Sequence, residues 1–456
     1  MALNKRLVIL GGGESGVGTA LLAQSKGYDV FLSDYGTIKD RYRAVLRDHA
    51  IPFEDGGHTE SLILNADEVM KSPGIPDDTP IVQQLTSRNI PIVSEIEFAA
   101  RFTNAKMVCI TGSNGKTTTT SLIYYILRQA RLNVGLAGNI GRSLAMQILQ
   151  EPKDYYVIEL SSFQLDNMYD FRANIAVLLN ITPDHLDRYN FQLQRYVDSK
   201  MRIIQNQTPL DTFIYWAQDE HIPAELQRRG ISNQQSSTAN GELPVISGPT
   251  PTSRPAKEGH PTLCPFTDKD FERLGLTFSQ IGNHNKRNAL AAYHAAKALG
   301  IDAAVVRQSL QTFPGVEHRL ERAGEADGVA YINDSKATNV DACYVALQAI
   351  DTPIVLIVGG KDKGNDYTVL YDIVQQKCRA LVYLGADNAK LHQSFDHLGL
   401  PTADTHSMAD AVSAARTLAH SGDTVLLSPC CASFDLFRNM EDRGEQFKAR
   451  VKELQN

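Results

Sequence analysis

The stretch MVCITGSNGKTTTTSLIYYIL (107–127) decides the architecture. Its first four residues read as a buried strand and its last nine as a helix, with a glycine-bearing turn between them. A turn of that kind points successive backbone N–H groups at phosphate oxygens, and the helix dipole adds positive potential. The candidate cradle is Gly112, Ser113, Asn114, Gly115, Lys116, Thr117 and Thr118. Lys116 supplies a cation for the outer phosphates and Thr117 a hydroxyl for Mg²⁺. Ile110 stands where the general phosphate-loop pattern has glycine; a bare strand–turn–helix connection is the alternative, but Gly-Lys-Thr in this strand–loop–helix setting favours phosphate.

Outward from this stretch, apolar runs alternate with helical patterns. RLVIL, YDVFL, YYVIEL, IAVLLN, PIVLIV, RALVYL and DTVLL read as buried parallel strands, and 284–299 as a helix. The fold class expected is α/β with three domains. Residues 1–94 form a Rossmann-like unit. Residues 95–300 form a central phosphate-loop domain on a mostly parallel sheet, and 301–456 a Rossmann-like C-terminal domain. Residues 233–262, rich in Ser, Thr, Gly and Pro, read as an exposed loop.

Composition sets limits on function. The 456 residues exceed one ordinary core, and 43% hydrophobic with 21% charged residues is a globular balance. The net charge of −7 argues against a nucleic-acid surface, although backbone groups still hold small anions. The apolar run Leu7–Leu10 is too short for a secretion signal or a membrane span, so a cytoplasmic chain is expected. Six scattered cysteines form no CxxC pair and read as reduced, small buried residues.

Other segments carry chemistry. Gly11-Gly12-Gly13-Glu14-Ser15-Gly16-Val17-Gly18 satisfies GxGxxG, with Asp34 closing the next strand. A dinucleotide, a nucleotide moiety and a plain turn all remain open there. ELSSFQL (159–165) and NITPDHLD (180–187) each follow a strand of the phosphate-loop sheet, so Glu159 and His185 are placed at its carboxyl edge, where Mg²⁺ is held. A lone histidine is more often structural, but the place of His185 on a strand-end loop beside the phosphate turn favours a metal role, whereas Lys200 by itself reads as helix-surface charge.

Together these pieces resemble the Mur ligase family, the ATP-dependent amide ligases of bacterial peptidoglycan synthesis. The matching segments are TGSNGKTT (111–118), GNIG (138–141), ELSSFQL (159–165), TPDHLDRY (182–189), HNKRN (284–288), HR (318–319), DSKATN (334–339), GGKDK (359–363) and SPCCASFD (428–435). They keep the family order, and DSKATN is similar to the member that joins D-glutamate to UDP-N-acetylmuramoyl-L-alanine. The resemblance implies an acyl-phosphate route to an amide, two Mg²⁺ ions, domain closure on ATP and a monomer without nucleic-acid or membrane partners.

It also implies roles. Lys116, Thr117, Glu159 and His185 would hold phosphates and metal, and Lys200 would carry a CO₂-derived carbamate directed at metal. Asn285, Asn288, Arg319 and Asp334 would contact ATP. Glu14, Ser15, Asp34, Ser72, Gly74, Asn139, Ser161 and Gln164 would hold the UDP-substrate, with Gly36 standing where relatives often have arginine and Lys39 or Arg41 as its substitutes. Lys336, Thr338, Lys363, Ser433 and Phe434 would hold D-glutamate. Rival readings are another ligase of this fold, an NAD-dependent oxidoreductase built on the first glycine cluster, and a non-catalytic nucleotide binder.

Overall fold

The computed structural model describes residues 5–184, 186–231, 259–362 and 364–455. Among them are three sheets. The first contains β1 (Arg6–Leu10), β2 (Asp29–Asp34), β3 (Phe53–Asp55), β4 (Glu68–Lys71) and β5 (Ile92–Val93), in the order β3-β2-β1-β4-β5. Every pair in it is parallel. The second has β6 (Lys106–Thr111), β7 (Val134–Gly138), β8 (Tyr155–Glu159), β9 (Ile175–Leu178), β10 (Thr212–Trp216) and β11 (Thr262–Phe266), in the order β11-β10-β9-β6-β8-β7. It too is wholly parallel.

The third sheet comprises β12 (Glu321–Ala326), β13 (Val329–Asn333), β14 (Ile354–Gly359), β15 (Cys378–Leu384), β16 (Thr402–Thr405) and β17 (Thr424–Cys430), in the order β12-β13-β17-β14-β15-β16. Only β12 runs antiparallel. Asp327 and Gly328, both at positive φ, connect it to β13 (φ 54° and 75°). That is the two-residue Asp-Gly hairpin turn whose twist suits antiparallel strands.

All the strands expected from apolar runs are present, and the helix expected over 284–299 spans Asn283–Ala298. Most of the loop expected over 233–262 lies outside the described residues, but its last residue, Thr262, opens β11. The central strands are buried on both faces, which accounts for their unbroken apolar runs. All six cysteines are free and buried.

Two compact units divide the chain: residues 1–277 with 287–312, and residues 278–286 with 313–456. In the first unit, Gly18 on helix Glu14–Ser25 meets the helix Leu144–Gln150 so closely that an added Cβ would lie 2.3 Å from Ser143 Oγ. Buried Glu95 accepts from Ser143 Oγ at 2.5 Å and Ala145 N at 3.1 Å, tying the first sheet to the second.

Candidate active site

Strand β6 lies between β8 and β9, with Ile110 beside Glu159 and Thr111 beside Leu178. The loops after these strands therefore open side by side at one carboxyl edge. The chain turns there through Gly112 (φ 150°) and Gly115 (φ 84°) before entering helix Lys116–Gln129. Gly115 suits this turn because its φ is left-handed, and an added Cβ would sit 2.4 Å from Asn288 Oδ1, which would have to shift. Asn114 N donates to Asn180 Oδ1 at 2.8 Å, and Asn180 Nδ2 returns a bond to Asn114 O at 3.1 Å. Ser113 Oγ donates to Thr182 O and accepts from Thr182 N, each at 2.9 Å. These bonds hold the cradle in shape.

Two lysines converge on it. Lys116 Nζ donates to Gly112 O at 2.8 Å and to Ser113 O at 2.9 Å. Lys200 Nζ donates to the same Gly112 oxygen at 2.9 Å, from helix Leu193–Met201. The surface-charge reading of Lys200 fails: it is 1% exposed and lies over the Tyr196 ring at 4.5 Å. Burial, then the neighbouring Lys116 cation, hold its amine well below the usual lysine range, against the pull of Asp184 and Asp166.

Glu159 is 1% exposed. Its Oε1 accepts from Asn139 Nδ2 at 2.9 Å, while buried Oε2 has no hydrogen-bond partner among the described residues. A buried carboxylate oxygen left open beside a phosphate loop fits a hard cation. The buried Thr117 hydroxyl suits the same ion, so the donor set present fits Mg²⁺. His185 lies outside the described residues.

The strand order of the first sheet reverses between β1 and β4, and its glycine turn lies at that crevice. Gly11 (φ 103°) approaches Ser72 so closely that an added Cβ would be 2.4 Å from its Oγ. Asp34 accepts from Gly12 N at 2.6 Å and from Gly36 N at 2.8 Å. Glu14 and Gly74 are exposed and Ser15 is half-buried. Glu14 also accepts from Ser143 N at 3.1 Å. Arg41 turns onto Tyr42, its guanidinium 4.6 Å from the ring, and Lys39 stands at the N-cap position of the helix Asp40–Asp48 without a side-chain cap bond. Ser161 and Gln164 engage each other as a capping box on helix Ser162–Asp166, a structural task that S-x-x-Q announces in sequence.

In the second unit, β13, β17 and β14 lie adjacent, so the loops after them share one edge. Asp334 Oδ2 accepts from Ser428 Oγ at 2.9 Å and Oδ1 from Leu320 N at 3.2 Å. Arg319 Nε is buried with no hydrogen-bond partner among the described residues, and its charge acts on Asp334. Lys336 N donates to His318 O at 3.0 Å and Thr338 is exposed. Ser433 is buried, Phe434 is 67% exposed, and Lys363 lies outside the described residues. Asn285 is buried, and its Nδ2 donates to Ile281 O at 2.7 Å.

Burial pushes the Asp334 carboxyl up to about 7, against the neighbouring Arg319 charge. The folded protein then keeps a proton that the unfolded chain releases above about pH 4, so this group's contribution to stability falls as pH rises through that window. Over the whole window the loss is on the order of 4 kcal/mol. Asp334→Asn is expected to flatten the fall in thermal midpoint between about pH 5 and pH 7.5. Identical pH profiles for parent and variant would remove this carboxyl as the cause.

A phosphate loop flanked by a buried open carboxylate and two converging lysines, on a doubly wound sheet, defines a nucleotide-dependent α/β protein. Family models match in three stretches: the MurD N-terminal domain over residues 6–81, the Mur ligase middle domain over 110–296, and the "Mur ligase, glutamate ligase domain" over 318–431. The UDP-N-acetylmuramoylalanine–D-glutamate ligase of Bacteroides thetaiotaomicron is 56% identical over 455 residues, covering 99% of this chain and 100% of that one. The namesake from Porphyromonas gingivalis is 52% identical over 98% of each chain. The fold is shared with the UDP-N-acetylmuramate–alanine ligase of Thermotoga maritima (TM-score 0.58, 20% identity, 98% and 99% of the two chains). The chain belongs to the Mur ligase family.

Asn180, Thr182 and Tyr196 shape the cradle and were not singled out as site residues from sequence. Thr182 opens the motif TPDHLDRY, Asn180 stands two residues before it, and Tyr196 lies one helical turn before Lys200. That spacing was the available signal.

Proposed function

We propose that this chain joins D-glutamate to UDP-N-acetylmuramoyl-L-alanine in an ATP-dependent step of cytoplasmic peptidoglycan precursor synthesis. The observation that carries this reading is the meeting of Lys116, Lys200 and Glu159 at one sheet edge, in a chain 56% identical along nearly its whole length to a relative of that name.

A carboxylate is a poor acylating agent because its oxygen leaves badly as oxide. Transfer of the ATP γ-phosphoryl group to it gives an acyl phosphate. The D-glutamate amine attacks the carbonyl, a tetrahedral adduct forms, and its collapse releases phosphate and leaves the amide. Catalysis of such a transfer is mainly positioning and charge neutralisation. Gly112 to Thr118 cradle the phosphates, and the Lys116 ammonium offsets their charge. Thr117, Glu159 and His185 would hold Mg²⁺, which supplies Lewis-acid polarisation of the phosphoryl oxygens. A carbamate on Lys200 would turn a buried amine into a metal-directed anion. Asn285, Asn288, Arg319 and Asp334 are assigned to ATP. The first-sheet residues Glu14, Ser15, Asp34, Ser72 and Gly74, with Asn139, Ser161 and Gln164, are assigned to the UDP-substrate. Lys336, Thr338, Lys363, Ser433 and Phe434 are assigned to D-glutamate. Residues 1–94, 95–300 and 301–456 divide these tasks within a monomer. Among the described residues no helix is long and apolar enough to cross a membrane.

The test is phosphate release from ATP and Mg²⁺ with UDP-N-acetylmuramoyl-L-alanine across a panel of amino acids. Release dependent on D-glutamate, with a product heavier by one glutamyl residue, is expected. Release with a different amino acid would overturn the acceptor, and none with any would overturn the ligase reading.

A further inference from the structure

Arg443 heads the largest fully buried side chains among the described residues, at 1% exposure. It sits in the first turn of helix Met440–Glu453, where the helix dipole disfavours a cation. Burial depresses its pKa to about 10. Its hydrogen bonds go to Ser335 Oγ at 2.9 Å, Ser335 O at 2.8 Å and Cys431 O at 3.2 Å, with no ion pair to a carboxylate among the described residues. Asp435 and Asp334 act on it only through space. A buried charge is ordinarily paired, because desolvation otherwise costs several kcal/mol. Here the chain keeps one facing neutral oxygens.

What those oxygens belong to gives the reason. Ser335 lies just past β13 and Cys431 just past β17. A Cβ added to Gly360, just past β14, would be 3.3 Å from Arg443 Nη1 and 2.4 Å from Ala432 O. Lys361 N donates to Ala432 O at 2.8 Å, lacing the last two loops together. A single guanidinium therefore reaches three loops at the carboxyl ends of three adjacent strands. The described residues assigned to D-glutamate above, Lys336, Thr338, Ser433 and Phe434, all lie on two of these loops.

We propose that Arg443 is a positioning residue for the amino-acid acceptor: it clamps the three loops into the pocket shape and lends that pocket the unpaired positive charge suited to a dicarboxylate. This rests on the D-glutamate reading of the same loops. A neutral side chain of similar length keeps the volume and removes both the clamp and the charge. Arg443→Met is expected to raise KM for D-glutamate about tenfold or more, with KM for ATP and for the UDP-sugar within about twofold of the parent. Arg443→Lys restores the charge without the forked geometry and is expected to recover part of the loss.

The experiment is steady-state phosphate release, varying each substrate in turn, alongside thermal unfolding. An unchanged D-glutamate KM in Arg443→Met, or an equal rise in all three, overturns the proposal, since a merely structural role does not single out one substrate. Should Arg443→Met fail to fold, Ser335→Ala removes one acceptor of the guanidinium. It is expected to raise the D-glutamate KM about threefold, and no change there overturns the proposal equally. If the parent chain takes another amino acid, the acceptor assignment is what fails; the comparison is then read on that acceptor by the same criteria.

Discussion

Lys116→Ala is expected to lower kcat/KM by at least about 10³-fold while leaving the folded protein intact. The side chain is half-buried, and its ammonium folds back on the carbonyl oxygens of Gly112 and Ser113. Its loss leaves no cavity in the core, so little stability is at stake. The two oxygens it touches belong to the glycine turn proposed to cradle phosphate, so in that reading the same ammonium would meet the outer phosphates of ATP. In the proposed reaction its charge would offset the negative charge of the transferring group. Lys116→Arg keeps the charge but not the reach, since a planar fork does not fit a cradle built around a compact ammonium, and is expected to recover little. Phosphate release and thermal unfolding measured together check this. A variant retaining more than about a tenth of the parent rate would remove Lys116 from the reaction.

The part of this molecule encoded locally was readable from sequence. Strands such as MVCI and PIVLIV are buried on both faces, so burial itself writes an unbroken apolar run. The phosphate turn was readable because Gly112 and Gly115 must adopt conformations other residues resist. The strand pair β12 and β13 was passed over, although Asp327-Gly328 marks its turn, because β12 is half exposed and carries charges in place of an apolar run. Strand β7 (VGLAG) was missed for a related reason, its small residues leaving no pattern of large apolar side chains.

The site was legible residue by residue but not in its wiring. Nothing in the sequence places Asn139 against Glu159, or brings Arg443 to Ser335 across 108 residues, because such contacts depend on which strands lie side by side. Ser161 and Gln164 show the opposite hazard. Read as ligands, they first satisfy each other at a helix start, and any substrate contact must compete with that capping box.

Lys200→Ala is expected to be as damaging as the loss of Lys116, and its rescue distinguishes two explanations. The amine is walled in by Tyr196 and shares the Gly112 carbonyl with Lys116 Nζ, 2.9 Å and 2.8 Å away respectively. Two ammonium groups on one carbonyl oxygen repel each other, and burial disfavours both charges. The one with 1% exposure feels this most: burial, then the Lys116 cation, hold the Lys200 amine well below the usual lysine range and ease its access to the neutral form. A neutral amine is the form that attacks CO₂: the nitrogen lone pair makes the new N–C bond, one C=O π pair moves to oxygen, and the lost N–H proton passes to solvent. The product is an anion beside Lys116, which replaces repulsion by attraction. If this is the state of the working enzyme, Lys200→Ala loses about 10³-fold or more in kcat, and small carboxylic acids such as acetate restore part of it by entering the vacated space. Labelled bicarbonate should give a carbamate ¹³C resonance in the parent that is missing from Lys200→Ala, a readout independent of turnover. A crippled variant with neither rescue nor a lost resonance would leave Lys200 as a buried support for the Gly112 turn and would remove the carbamate from the mechanism.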